Sequence, residues 1–121
     1  MNFESLCVIG MGYIGLPTAS VFASHGIRVT GMDINKDIID GLKAGKLHIF
    51  EPGLRGVFLD ALASRHLVVA NEVAPADAFI IAVPTPFYDD KRADLRAVIS
   101  AAESIVPHLQ PGNLVILEST S

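Results

Sequence analysis

The feature that most constrains this chain is Gly10-Met11-Gly12-Tyr13-Ile14-Gly15, a G-x-G-x-x-G run directly behind the apolar stretch Leu6-Cys7-Val8-Ile9. Glycines alone are weak evidence, because loops collect them. Here the run follows a strand, opens a helix from about Leu16 to His25, and precedes an acidic residue, Asp33, 18 residues after Gly15 at the end of the next apolar strand. That strand–turn–helix–strand context is what a dinucleotide-binding turn requires, and the glycines divide the work. Gly10 permits the tight turn off the strand. Gly12 lacks a side chain where a pyrophosphate must approach the backbone, and Gly15 lets the helix pack closely on the sheet. The first turn of the helix then offers unpaired N–H groups and partial positive charge to phosphates. Asp33 is placed to accept hydrogen bonds from the adenosine ribose hydroxyls and to repel a 2′-phosphate, which favours NAD over NADP; nearby Lys36 could soften the preference. The plainer reading is that the glycines only turn the chain and Asp33 is a loop residue.

The rest of the chain alternates strands with helices. Ile27–Met32 reads as a second strand, and Asn35–Ala44 as a helix with Asn35 as its N-cap and Gly45 as its stop. Lys46–Gly53 is a loop, Leu54–Ser64 a helix, Leu67–Ala70 a third strand and Ala78–Val83 a fourth. Asp94 is expected to cap a long helix to about Leu109, and Pro111-Gly112 turns the chain into a fifth strand, Leu114–Glu118. Such alternation predicts an α/β, Rossmann-type parallel sheet of about five strands with helices on both faces. Continuous apolar strands fit a sheet covered on both sides. One join is awkward: Asn71–Asp77 is short for a parallel crossover, and a single helical turn is the expected solution.

The sequence has 121 residues, enough for one domain with a real core, and half are hydrophobic against 18% charged, which excludes disorder. A net charge of −4 without a Lys/Arg cluster argues against nucleic acid. Mean hydropathy is high at +0.46. The apolar runs are nonetheless far shorter than the roughly 20 residues a spanning helix needs, so no membrane role and a cytoplasmic location are expected. The single cysteine, Cys7, excludes an internal disulfide and sits mid-strand as an inert small hydrophobe. His25, His48, His66 and His108 lie scattered at element ends without metal-ligand spacing. Phe22, Phe58 and Phe79 read as core. Phe87 and Tyr88 either pack near a cofactor or cover the sheet edge, and Asp89, Asp90, Lys91 and Arg92 read as a solvated turn.

Five ordered blocks carry a more particular resemblance. Gly10-Met11-Gly12-Tyr13-Ile14-Gly15-Leu16-Pro17 resembles the opening motif of the UDP-glucose/GDP-mannose dehydrogenase family, the nucleotide-sugar 6-dehydrogenases. Asp33-Ile34-Asn35 resembles that family's second-strand end, and Glu51-Pro52-Gly53-Leu54 its loop after the second helix. Val83-Pro84-Thr85-Pro86 and Glu118-Ser119-Thr120 are similar to its cofactor-facing loops after the fourth and fifth strands. Ile81–Phe87, Leu117–Ser121 and the His48-Ile49 pair look most like the branch that oxidises UDP-N-acetyl-D-mannosamine.

The resemblance implies an NAD-dependent, two-step, four-electron oxidation of a sugar C6 alcohol to a uronic acid in polysaccharide biosynthesis. In that chemistry a cysteine captures the aldehyde, a second hydride transfer gives a thioester, and water releases the acid. Carried over by motif, NAD contacts fall to Gly10, Gly12, Tyr13, Ile14, Gly15 and Thr85, ribose binding to Asp33, and a place near the nicotinamide to Thr120, in support of catalysis. Glu118 and Glu51-Pro52 receive no role from chemistry. The family's cysteine, lysine and asparagine, and most of its UDP-sugar pocket, belong to segments beyond Ser121. The chain is therefore expected to be the N-terminal NAD-binding part of a longer, homo-oligomeric enzyme and to be inactive by itself. A stand-alone NAD(H)-sensing regulatory domain, or another 6-phosphogluconate-dehydrogenase-like oxidoreductase, shares the glycine turn and Asp33 but has less need of the other blocks.

Overall fold

The structure is a computed structural model and describes residues 3–86 and 94–118. Its strands are β1 (Ser5–Ile9), β2 (Arg28–Met32), β3 (Leu67–Ala70), β4 (Ala78–Ile81) and β5 (Leu114–Leu117). They form one 5-stranded sheet in the order β3-β2-β1-β4-β5, and every neighbouring pair is parallel. The helices are α1 (Gly15–Ser24), α2 (Lys36–Lys43), α3 (Leu54–Ser64) and α4 (Arg96–Ile105).

Register explains why the strands are apolar on both sides. Leu6 lies opposite Val29 and Ala78, and Val29 opposite Leu67, so these side chains share one face. That face buries Leu16, Ala19 and Ala23 of α1, Ile39 and Leu42 of α2, and Leu54, Phe58 and Ala61 of α3. One residue along, Cys7 pairs with Phe79, and with Ile9, Met32 and Ile81 they pack on the other face against Ala101 and Ile105 of α4. Alternation thus feeds two cores instead of one core and solvent. Cys7 is fully buried, and that burial pushes its thiol pKa up.

Local signals set several boundaries. The Asn35 side chain accepts from the N–H groups of Asp37 and Ile38 at 3.0 and 3.2 Å, which starts α2 as expected. Glu51-Pro52-Gly53-Leu54 is the entry to α3: Leu54 N–H donates to the Glu51 carbonyl, and Gly53 stands at the N-cap with φ +81°. Leu54 is buried at the foot of the helix.

Four expectations need correction. The β3–β4 join contains no helical turn; it crosses the sheet as a non-helical segment, with Val73 and Ala76 packed on the second core. Apolar contact with the sheet takes the place of a helix. α4 stops at Ile105 and tightens into a 3-10 turn at Val106–His108, because Pro107 lacks an N–H and its ring clashes with the preceding turn. Leu95, not Asp94, occupies the N-cap position, yet the Asp94 carboxylate still accepts from Arg96 N–H at 3.1 Å and from its guanidinium. Phe22, unlike Phe58 and Phe79, is 40% exposed, on the outer flank of α1.

β5 also departs from a sheet covered throughout: Leu114, Val115, Ile116 and Leu117 are all exposed. Among the described residues it has a strand neighbour on one side only, and the described helices lie over the other strands. No helix among the described residues is long and apolar enough to cross a membrane.

Candidate functional site

The backbone ladder continues past the carboxyl ends of the strands and locks the glycine turn in place. Gly10 N–H donates to the Met32 carbonyl at 2.7 Å, Ala82 N–H to Ile9 at 2.8 Å, and Asp33 N–H to Ala70 at 3.1 Å. Strand order places β1 between β2 and β4, the point where chain progression reverses and a crevice opens outside the strand ends.

Within this crevice lies a cleft of about 520 Å³. Its floor is Gly10, Gly12, Tyr13 and Ile14. One wall is Asp33, Ile34, Asn35 and Ile38; the other is Ala82, Val83 and Pro84 with Ala97, Ser100, Ala101 and Ser104 of α4. A second, more open depression of about 360 Å³ at the β3 edge is lined by Lys43, Arg65 and aliphatic residues, away from the glycine turn.

The three glycines of the turn differ in their surroundings. Gly10 has φ +101°, and a Cβ there would stand 2.8 Å from the Ala82 carbonyl oxygen. A Cβ on Gly15 would overlap the Gly10 carbonyl oxygen, so the close approach is between the helix start and the turn itself. Above Gly12 there is open space, with nothing within 4 Å of a Cβ built there. No side chain caps α1, and its first turn carries no acidic residue. Leu16 N–H already donates to the Gly12 carbonyl at 3.1 Å and Pro17 has no N–H, so of the first three helical residues Gly15 has the N–H that is left for an anion.

Asp33 is the charged group of the cleft, half-buried at the end of β2. Its Oδ2 accepts from Met11 N–H and its Oδ1 from Asn35 N–H, each at 2.9 Å. The carboxylate is thus fixed between the glycine turn and the start of α2, with further lone pairs free for a ligand. Asn71 was not legible as part of this arrangement: its side-chain amide donates to the Asp33 carbonyl at 2.9 Å. Only the fold brings the end of β3 beside the end of β2, and no local pattern signals it.

The cleft brings together Gly10, Gly12, Tyr13, Ile14 and Asp33, with Tyr13 exposed and Gly15 buried just beneath. Lys36 is exposed at the start of α2. Thr85 is half-buried just beyond Pro84 and is not among the lining residues. Thr120, Phe87 and Tyr88 lie outside the described residues. Glu118 acquires a contact: Thr18 Oγ1 of α1 donates to its Oε1 at 2.9 Å, while its N–H donates to the Ile81 carbonyl at 2.8 Å. His48 and Glu51 are exposed and do not line the cleft.

The chain is 50% identical over 121 residues to UDP-N-acetyl-D-mannosamine dehydrogenase of Escherichia coli, covering 100% of this chain and 29% of that protein. It is 48% identical, with the same coverage, to NDP-N-acetyl-D-galactosaminuronic acid dehydrogenase of Ralstonia nicotianae. Among solved structures, UDP-N-acetyl-mannosamine dehydrogenase of Staphylococcus aureus superposes with a TM-score of 0.93 at 48% identity, over 96% of this chain and 29% of that one. The chain therefore spans less than a third of the length of the relatives it matches. Residues 4–121 match the NAD binding domain of the UDP-glucose/GDP-mannose dehydrogenases, and the chain belongs to that family.

Proposed function

We propose that the chain is the NAD-holding part of a longer nucleotide-sugar 6-dehydrogenase. In this reading the pyrophosphate lies over Gly10–Gly15, with Gly12 clearing its path and Tyr13 and Ile14 at its flank. Asp33 accepts from the adenosine ribose hydroxyls. The apolar wall of Ile34, Ile38, Ala97 and Ala101 keeps water from the flat face of the adenine. Thr85 adds a further NAD contact, and Thr120 takes a place near the nicotinamide in support of catalysis. NAD bound there supplies a hydride acceptor. The observation that carries the reading is the Asp33 carboxylate, held by Met11 N–H at 2.9 Å beside a glycine turn that leaves open space over Gly12.

The substrate is a UDP-linked N-acetylhexosamine, with UDP-N-acetyl-D-mannosamine first and oxidation to the mannosaminuronate feeding polysaccharide biosynthesis in the cytoplasm. The names of relatives at 46–50% identity support this class. Most of the sugar pocket, the catalytic thiol and the contacts of a homo-oligomer lie on the longer protein. The test is to assay that protein with UDP-N-acetyl-D-mannosamine, UDP-N-acetyl-D-galactosamine and UDP-glucose. Reduction of two NAD per N-acetylmannosamine nucleotide supports the proposal. Turnover confined to UDP-glucose removes the substrate assignment, and failure to reduce NAD with any of them removes the enzyme assignment.

A further inference from the structure

Asp33 is held at four points. Its N–H donates to the Ala70 carbonyl at 3.1 Å, its Oδ2 and Oδ1 accept from Met11 and Asn35 N–H at 2.9 Å each, and its carbonyl accepts from the Asn71 amide at 2.9 Å. A carbonyl can only accept, so the Asn71 atom facing it is the nitrogen. The Asn71 contact is the one made by a side chain distant in sequence, from the residue that follows β3. It holds the Asp33–Ile34 peptide, which adjoins the Ile34–Asn35 peptide whose N–H donates to Oδ1. Ile34 is 85% exposed, so its side chain gives the turn little packing of its own.

The geometry points to Asn71 as the residue that sets cofactor choice, by holding the Asp33 turn so that the carboxylate faces the ribose in the cleft. The inference rests on the NAD reading above. A fixed carboxylate both accepts from the 2′- and 3′-hydroxyls and repels a 2′-phosphate. A loosened one does both less well, so losing the Asn71 amide weakens NAD while sparing NADP.

The test is calorimetric titration of the 121-residue chain with NAD and NADP in wild type, Asn71→Ala and the near-isosteric Asn71→Leu, with thermal melts alongside. Loss of one hydrogen bond's net worth corresponds to NAD binding weaker by roughly three- to tenfold. NADP should bind unchanged or tighter, and Asn71→Ala should add nothing in an Asp33→Ala background. Equal weakening of both cofactors, unchanged NAD binding, additivity with Asp33→Ala, or failure of both variants to fold each overturns the inference. A wild type that binds no NAD refutes the cofactor reading instead.

Discussion

Both carboxylate oxygens of Asp33 are engaged by backbone N–H groups before any ligand arrives. Asp33→Ala therefore removes the ribose acceptor and also unties the glycine turn from β2. NAD affinity of the chain should fall about ten- to a hundredfold, the range for hydrogen bonds to a charged group, as measured by titration calorimetry. Asp33→Asn keeps an acceptor but drops the charge, so it should lose less NAD affinity and gain relative affinity for NADP. Asp77 does comparable work at the opposite edge of the sheet. Hydrogen bonds from Glu4 N–H and then Ser5 N–H to its carboxylate hold its pKa below the usual range, outweighing desolvation. A depressed carboxyl stabilises the fold above its unfolded pKa of about 4 and loses that contribution as pH falls through the folded value. Thermal melts of wild type and Asp77→Asn should differ at pH 7 and converge as the pH drops below about 4. Asp33 was legible because a motif spacing points to it; Asp77 and Asn71 were not, since their partners lie on strands distant in sequence and meet only through sheet order.

Elements that local chemistry defines were readable. Asn35 starting α2, Leu54 opening α3 and the glycine turn before α1 all follow from side-chain or backbone needs within a few residues. The errors fell where tertiary contact decides. The β3–β4 crossover needs no helix because Val73 and Ala76 bury themselves directly on the sheet. Phe22 sits on an outer flank that helical spacing alone does not reveal. Between elements, the Thr18–Glu118 hydrogen bond spans the molecule from α1 to the end of β5. Thr18→Val and Glu118→Gln should each lower the melting temperature modestly, and the double variant should lose less than the sum if the two groups act through one another. Gly15→Ala is the harsher test, since its Cβ overlaps the Gly10 carbonyl oxygen. Overpacking of this kind costs about 1–3 kcal/mol or more, readable in urea unfolding, and should reduce NAD binding alongside stability.

At the scale of the whole molecule, the two-faced sheet exists to present its carboxyl edge. The two cores hold the glycine turn, Asp33 and α4 around one cleft, while the only cysteine in the sequence is fully buried in β1. A thiol so placed cannot capture an aldehyde, so the chain with NAD and UDP-N-acetyl-D-mannosamine should form no thioester and release no uronate, as checked by mass spectrometry of the products. β5 is aliphatic and exposed on both faces, and its outer side has no strand partner among the described residues. Sedimentation should show concentration-dependent association of the chain that Ile116→Lys suppresses. The most direct measurement of the central claim is a titration of isotopically labelled chain with NAD, followed by amide chemical shifts. Saturable shifts at Gly10, Gly12, Tyr13, Ile14 and Asp33 are the expected result. Shifts confined to the β3-edge depression around Lys43 and Arg65, or none at millimolar NAD, would contradict it.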